Sequence, residues 1–228
     1  MTLFCIGFNK TGTTTLHQWF MLAGLRGSHD ATYQRCMRTM GENELRAYPD
    51  AHDAFTDGER ADFARLRALY PDARFVLNTG ALKPWLESRV KHVFRDGGIA
   101  LDRRDGTLRP GPLAGPMAQE YLRDPAQAIS DWIDRRDFYH RSVLFFFAGD
   151  PALLVVNVTE NPSWQVELGS FLGIEIQANL HANPTSADVA EFELDERIRQ
   201  VSAVLRDKQI PPDEWCTETH VGFGPARS

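Results

Sequence analysis

Cysteine is scarce in this chain: Cys5, Cys36 and Cys216 are the only three in 228 residues. An odd number at wide spacing makes neither a disulfide framework nor a zinc-ligand pattern, so these thiols read as structural or incidental. Long apolar runs are missing as well. No window approaches the roughly 18 uninterrupted apolar residues that a membrane-crossing helix needs. The opening "MTLFCIGF" enters a strand-like run without a charged leader or a small-residue cleavage site, so a cytoplasmic protein that stays out of the membrane is expected. Positive charge is in deficit too. Against 31 Asp and Glu stand 25 Lys and Arg, a formal charge of -6. That balance disfavours nucleic acid, because counterion release rewards a strongly basic surface. No His, Asp or Glu spacing resembles a metal-ligand set.

What is present is a hydrophobic share of 43%, enough for one sizeable core, and a single domain over residues 1–228 is expected. "LFCIGF" at 3–8, "RFVLNT" at 74–79 and "ALLVVNV" at 152–158 read as buried strands. Between them lie helical patterns. Leu16, Trp19, Phe20 and Ala23 form one helix face, as do Trp164, Leu168, Phe171 and Leu172 before a glycine stop. Further helices are predicted around Phe63, Leu66 and Tyr70, from about Lys83 to Phe94, from Ile129 towards Phe147, and through Leu194, Ile198, Val201 and Leu205. "DAFTD" at 53–57 suggests a short strand end, and 96–118, rich in Gly and Pro, reads as a long loop. Strands alternating with helices imply an α/β fold with a mostly parallel central sheet and helices on both faces. In such sheets ligands sit at the carboxyl ends of the strands.

One segment is locally basic. Lys83, Arg89, Lys91, Arg95, Arg103 and Arg104, with His92, face only Glu87, Asp96 and Asp102 in the sequence. Such a segment either focuses an anion or forms a solvated helix face.

The chemistry concentrates in "GFNKTGTTT" at 7–15, between the first strand and the first helix. Gly7 and Gly12 have the spacing of a nucleoside-triphosphate loop, G-x-x-x-x-G-K-[ST]. The position of its lysine, however, is held by Thr13, and the loop's lysine is Lys10. A threonine there cannot supply the charge a terminal phosphate needs. What remains is an anion cradle at a helix N-terminus, with hydroxyls from Thr11, Thr13, Thr14 and Thr15.

These residues resemble the 5′-phosphosulfate loop of the sulfotransferases, P-K-S-G-T-T-W, with Lys10, Gly12, Thr13 and Thr14 in register and Asn9, Thr11 and Thr15 standing for the proline, serine and tryptophan. "YPDARFVLNTGALKPWLESRV" at 70–90 is similar to the family's strand, turn and helix that bind the 3′-phosphate. Ser88 matches the family serine, and Trp85 suits the bacterial branch. More loosely, "YHRSVLFFFAGDPALLVVNV", the later "W" and "FLG", and "HANPT" also resemble that branch.

The resemblance implies a three-layer P-loop NTPase-like fold and transfer of a sulfuryl group from 3′-phosphoadenosine 5′-phosphosulfate (PAPS) to a small-molecule hydroxyl or amine, leaving 3′-phosphoadenosine 5′-phosphate (PAP), without a metal. Lys10 is expected over the bridging or leaving oxygen, the amides of residues 11–14 on the 5′-phosphate, and Ser88 with Arg89 near the 3′-phosphate. The family's base precedes the 3′-phosphate strand, where "AHDAFTDGE" offers His52, Asp53 and Asp57; Asp57 is the first choice and His52 the second. His140 and His181 are further histidines able to approach such a site.

The sequence departs from the family where an arginine is expected eight residues before Ser88: Gly80 is there. A charge-assisted bond to phosphate contributes roughly 1.5–3 kcal/mol, so its loss weakens binding about ten- to a hundredfold. Either Arg89, Arg95 or Arg104 substitutes, or the donor is held loosely, or the chain is a catalytically impaired nucleotide-binding module. A P-loop kinase is the remaining alternative. Neither the acceptor, whose walls are expected in 28–50 and 96–118, nor the oligomeric state is legible.

Overall fold

A computed structural model of the chain describes residues 1–29, 51–59, 61–95, 98–102, 104, 107–175 and 191–214, without the side chains of 101 and 191–195. In chain order its elements are β1 Leu3–Cys5, α1 Thr13–Leu22, β2 Gly27–Ser28, β3 Ala54–Phe55, α2 Phe63–Leu69, β4 Arg74–Thr79, α3 Leu82–Val93, β5 Ile99–Leu101, β6 Leu108–Pro110, α4 Pro116–Arg123, α5 Pro125–Phe146, β7 Leu153–Asn157, α6 Trp164–Leu172 and α7 Glu191–Asp207. The chain divides into two compact units, Met1–Gly80 with Tyr139–Asn183, and Ala81–Phe138 with Pro184–Ser228.

The first unit is α/β. Its five strands lie in the order β2-β3-β1-β4-β7, and every neighbouring pair is parallel. Parallel pairing puts all five carboxyl ends on one side. From β1 the chain moves through α1 toward β2 and β3, then crosses through α2 to β4 on the other side of β1, so the direction of winding reverses at β1. Right-handed crossovers then place α1 and α2 on opposite faces.

Strand alternation gives the faces different chemistry. Leu3, Cys5, Val76 and Val156 point to one side and pack with Leu16, Trp19 and Phe20 of α1 and Trp164 and Leu168 of α6. Phe4, Phe55 and Phe75 point to the other. Phe4 stacks on Phe55 at 5.1 Å and on Phe75 at 5.8 Å, and Phe75 meets Phe147 at 4.9 Å. Phe63 of α2 joins the same layer against Tyr139 at 5.7 Å. Full burial of side chains of this size contributes about 1.5–3 kcal/mol each, so both layers stabilise the unit around β1.

The second unit is built from α3, α4, the first part of α5, α7 and the antiparallel pair β5–β6, in register at Ile99 and Pro110. Residues 96–118, read as a loop from their Gly and Pro content, therefore hold two short strands and the start of α4. Pro110 fits because it closes its strand, and Pro116 opens α4 at a position whose N–H has no helical acceptor. Among the described residues no helix is long and apolar enough to cross a membrane.

Candidate functional site

The loop between β1 and α1 is fastened from below by one side chain. Asn78, fully buried near the carboxyl end of β4, accepts the Gly7 N–H on Oδ1 at 3.0 Å and donates from Nδ2 to Thr11 Oγ1 at 2.6 Å and to the Phe8 carbonyl at 3.3 Å. The Thr11 hydroxyl donates to Phe8 O at 2.5 Å. A Cβ on Gly7 would lie 2.0 Å from the Asn78 carbonyl oxygen, so only glycine lets the loop come this close to β4. On the other face Tyr139 donates its hydroxyl to Ile6 O at 2.8 Å, while Phe8 is wedged against Tyr139 and His140.

Above that base the backbone turns left-handed twice, at Lys10 (φ 65) and Gly12 (φ 85). For glycine this is ordinary, but for lysine it costs roughly 1–2 kcal/mol, a conformation kept only where the surroundings impose it. A Cβ on Gly12 would also meet Val158 Cγ1 at 2.8 Å, so the loop after β7 closes over this turn. Asn157 shapes that second loop as Asn78 shapes the first. Its Oδ1 accepts from Thr159 N, Thr159 Oγ1 and Glu160 N at 2.9–3.0 Å. A Cβ on Gly80 would stand 3.2 Å from Thr159 Oγ1 and 3.7 Å from Thr11 Cγ2. The segments after β1, β4 and β7 thus meet at the carboxyl edge of the sheet.

The helix that follows starts bare. No side chain caps α1 and its first turn holds no acidic residue, so the N–H groups of Thr13, Thr14 and Thr15 point at the loop without an intrahelical acceptor. The macrodipole favours negative charge there. The four threonines expected to contribute hydroxyls do not act alike. Thr11, Thr13 and Thr15 are buried, and the Thr11 hydroxyl is engaged by Phe8 and Asn78. Thr14 alone is exposed, so three of the four can serve an anion through backbone N–H rather than hydroxyl groups. Burial of Thr13 also turns the position of a triphosphate lysine toward the interior.

Sequence reasoning missed the group beside Thr14. His29, one residue past β2, places Nε2 3.3 Å from Thr14 Oγ1 and Nδ1 2.9 Å from Thr56 Oγ1, while the Thr56 hydroxyl donates to Ser28 O at 3.1 Å. Its ring stacks on His17 of α1 at 5.2 Å. Burial first, and the neighbouring His29 second, hold His17 below the ordinary 6.5. One signal was available: Ser28 ends one short strand and Thr56 follows another, both at the carboxyl edge of the sheet.

The candidate bases separate by topology. Asp57 follows β3 and lies at the carboxyl edge with the loop, whereas His52 and Asp53 precede β3 at the amino edge. His52 packs edge-on against Phe55 at 5.9 Å. Asp53 takes three hydrogen bonds from Arg26, which hold its carboxyl at about 2. His140 is fully buried against Phe8, and Cys5 is fully buried, its thiol pushed up by burial. His181, Cys36, Cys216, Arg103, Asp96, the "HANPT" stretch and 30–50 lie outside the described residues.

In the second unit Ser88 and Arg89 both lie on α3. Arg89 is 5% exposed, with its guanidinium over the rings of Trp85 at 5.0 Å and Trp132 at 5.3 Å, and Arg136 covers Trp85 at 4.7 Å. Lys83 pairs with Glu87, and Arg109 with Asp102 at 3.1 Å. The basic segment is therefore partly neutralised and partly stacked on tryptophan. Among the described residues no three His, Cys, Asp or Glu side chains gather as a metal site. Comparison of the chain with known protein families and with curated proteins gives no match.

Proposed function

We propose that the first unit has a P-loop NTPase-like fold and that the chain is a PAPS-dependent sulfotransferase. The observation that carries the reading is the lysine inside the loop. Lys10 is held left-handed between Gly7 and Gly12, just before a helix whose first N–H groups have no intrahelical acceptor and no side-chain cap. That arrangement suits a phosphosulfate: amides and the Thr14 hydroxyl for the 5′-phosphate, and one cation for the charge on the leaving oxygen. It does not suit a triphosphate, whose lysine position is the buried Thr13.

PAPS supplies an activated sulfuryl group, and in-line transfer of such a group depends on positioning and on charge stabilisation. In this reading the loop amides orient the donor and Lys10 stabilises the leaving oxygen. Asp57, at the carboxyl edge, accepts the proton of the acceptor hydroxyl or amine; His52, at the opposite edge, has no part. Ser88, which the family resemblance assigns to the 3′-phosphate, lies on α3 of the second unit. Arg89 contributes through its stack on Trp85 and Trp132, which fixes α3 rather than presenting a free fork.

The test is transfer of labelled sulfate from PAPS to a panel of phenols, alcohols and amines. Wild type is expected to label at least one acceptor, and Lys10→Ala to lower the rate about 10²- to 10³-fold with the fold retained. Undiminished turnover in the variant overturns the role of Lys10.

A further inference from the structure

We infer that His29 is a positioning residue whose protonation state sets the direction of the Thr14 hydroxyl, and so sets how tightly the loop holds an anion. The inference rests on the proposed anion-binding role of the loop, and it adds a residue that neither the motif nor the family pattern contains.

Hydrogen-bond direction fixes the roles of the three side chains. Ser28 O can only accept, and the Thr56 hydroxyl has one hydrogen. The 3.1 Å contact to Ser28 O and the 2.9 Å contact to His29 Nδ1 are satisfied together when Thr56 donates to Ser28 and accepts from His29. Nδ1 therefore carries hydrogen. In neutral His29 the other nitrogen, Nε2, is then an acceptor, and at 3.3 Å it takes the Thr14 hydroxyl hydrogen. With that hydrogen committed, Thr14 offers an anion at the helix N-terminus only its backbone N–H.

Protonation reverses the last link. Imidazolium Nε2–H donates to Thr14 Oγ1, and the Thr14 hydrogen is released toward the loop as a donor. An anion in the cradle then gains one hydrogen bond polarised by a cation behind it. The relay is anchored on two elements of the sheet, since Ser28 ends β2 and Thr56 follows β3. His29 therefore keeps its place while Thr14 changes role.

Titratable groups reach His29 from three segments. From α1, His17 stacks on it at 5.2 Å, and burial lowers the His17 pKa. On the segment after β3, Asp57 follows Thr56, and on the loop before α1 stands Lys10.

The experiment measures binding of PAP by calorimetry at about pH 5.5 and about pH 8, the range across which histidine changes charge. Wild type, His29→Gln and Thr14→Ala are compared, because titration of the ligand's own phosphates is common to all three. Relative to His29→Gln, wild type is expected to favour the acidic condition by about five- to tenfold, the value of one added hydrogen bond, and to take up more protons on binding. Thr14→Ala is expected to behave like His29→Gln.

Equal pH dependence in wild type and His29→Gln overturns this inference while leaving the loop's role standing. Persistence of the full dependence in Thr14→Ala shows that His29 acts by charge alone and overturns it equally. Absence of PAP binding by wild type at both pH values overturns the underlying reading together with the inference.

Discussion

Asn78 Nδ2 donates to Thr11 Oγ1 at 2.6 Å across 67 residues of sequence, in a contact closed to solvent. That bond and the Gly7 N–H on the same carboxamide are what tie the loop's shape to β4.

Asn78→Asp is expected to destabilise the chain by about 3 kcal/mol or more, because it replaces a donor facing two oxygens with a buried carboxylate. Urea unfolding checks this. Thr11→Val, which puts a methyl in place of the hydroxyl, should cost about 1–3 kcal/mol. A near-neutral result at both positions would mean that the loop is held by something other than this carboxamide.

Gly12→Ala combines a left-handed backbone at φ 85 with a Cβ 2.8 Å from Val158 Cγ1. The expected loss is about 2–3 kcal/mol. Adding Val158→Ala removes the Cγ1 contact but keeps the Val158 Cβ, 2.9 Å from the new one, so it should restore only part of the steric loss. A double-mutant cycle reads the coupling directly, and strict additivity would show that the two residues do not touch.

Acid stability follows from two depressed groups. His17 is held below 6.5 in the fold, so the unfolded chain binds more protons once the pH drops beneath that value. Its contribution is complete above pH 6.5 and is lost as pH falls through the folded value. Asp53, at about 2 against an ordinary 3.8, acts lower: its contribution is complete above 3.8 and disappears as pH approaches about 2. The Asp53 pair with Arg26 lies at the surface, so about 1 kcal/mol is its ceiling. Urea midpoints against pH should flatten in the upper window for His17→Gln and in the lower one for Asp53→Asn.

Much of this architecture was legible because its signals are local. "RFVLNT" reads as a buried strand and is β4 at the same six residues, and the Trp164 and Leu168 spacing marks α6. The hairpin at 99–110 was hidden because two three-residue strands carry too little periodicity to outweigh their glycines and prolines. Gly7, Lys10 and Gly12 mark the loop in the sequence, whereas its fasteners are not marked. Asn78 looks like an ordinary polar strand end until β4 is paired beside β1, and His29 meets Thr14 and Thr56 only after β2 and β3 come together. Gly80 shows the same limit. It reads as a missing arginine, but Thr159 of the loop after β7 stands 3.2 Å from where a side chain would begin.

In the proposed function the loop from Gly7 to Gly12 holds a phosphosulfate nucleotide and not a triphosphate. Thermal unfolding with PAP, set against ATP with magnesium at equal concentration, tests it most directly. A ligand at 100 times its Kd stabilises by about 2.7 kcal/mol, so PAP should raise the midpoint by several degrees and ATP with magnesium by much less. Equal shifts, or none with PAP, would contradict the account.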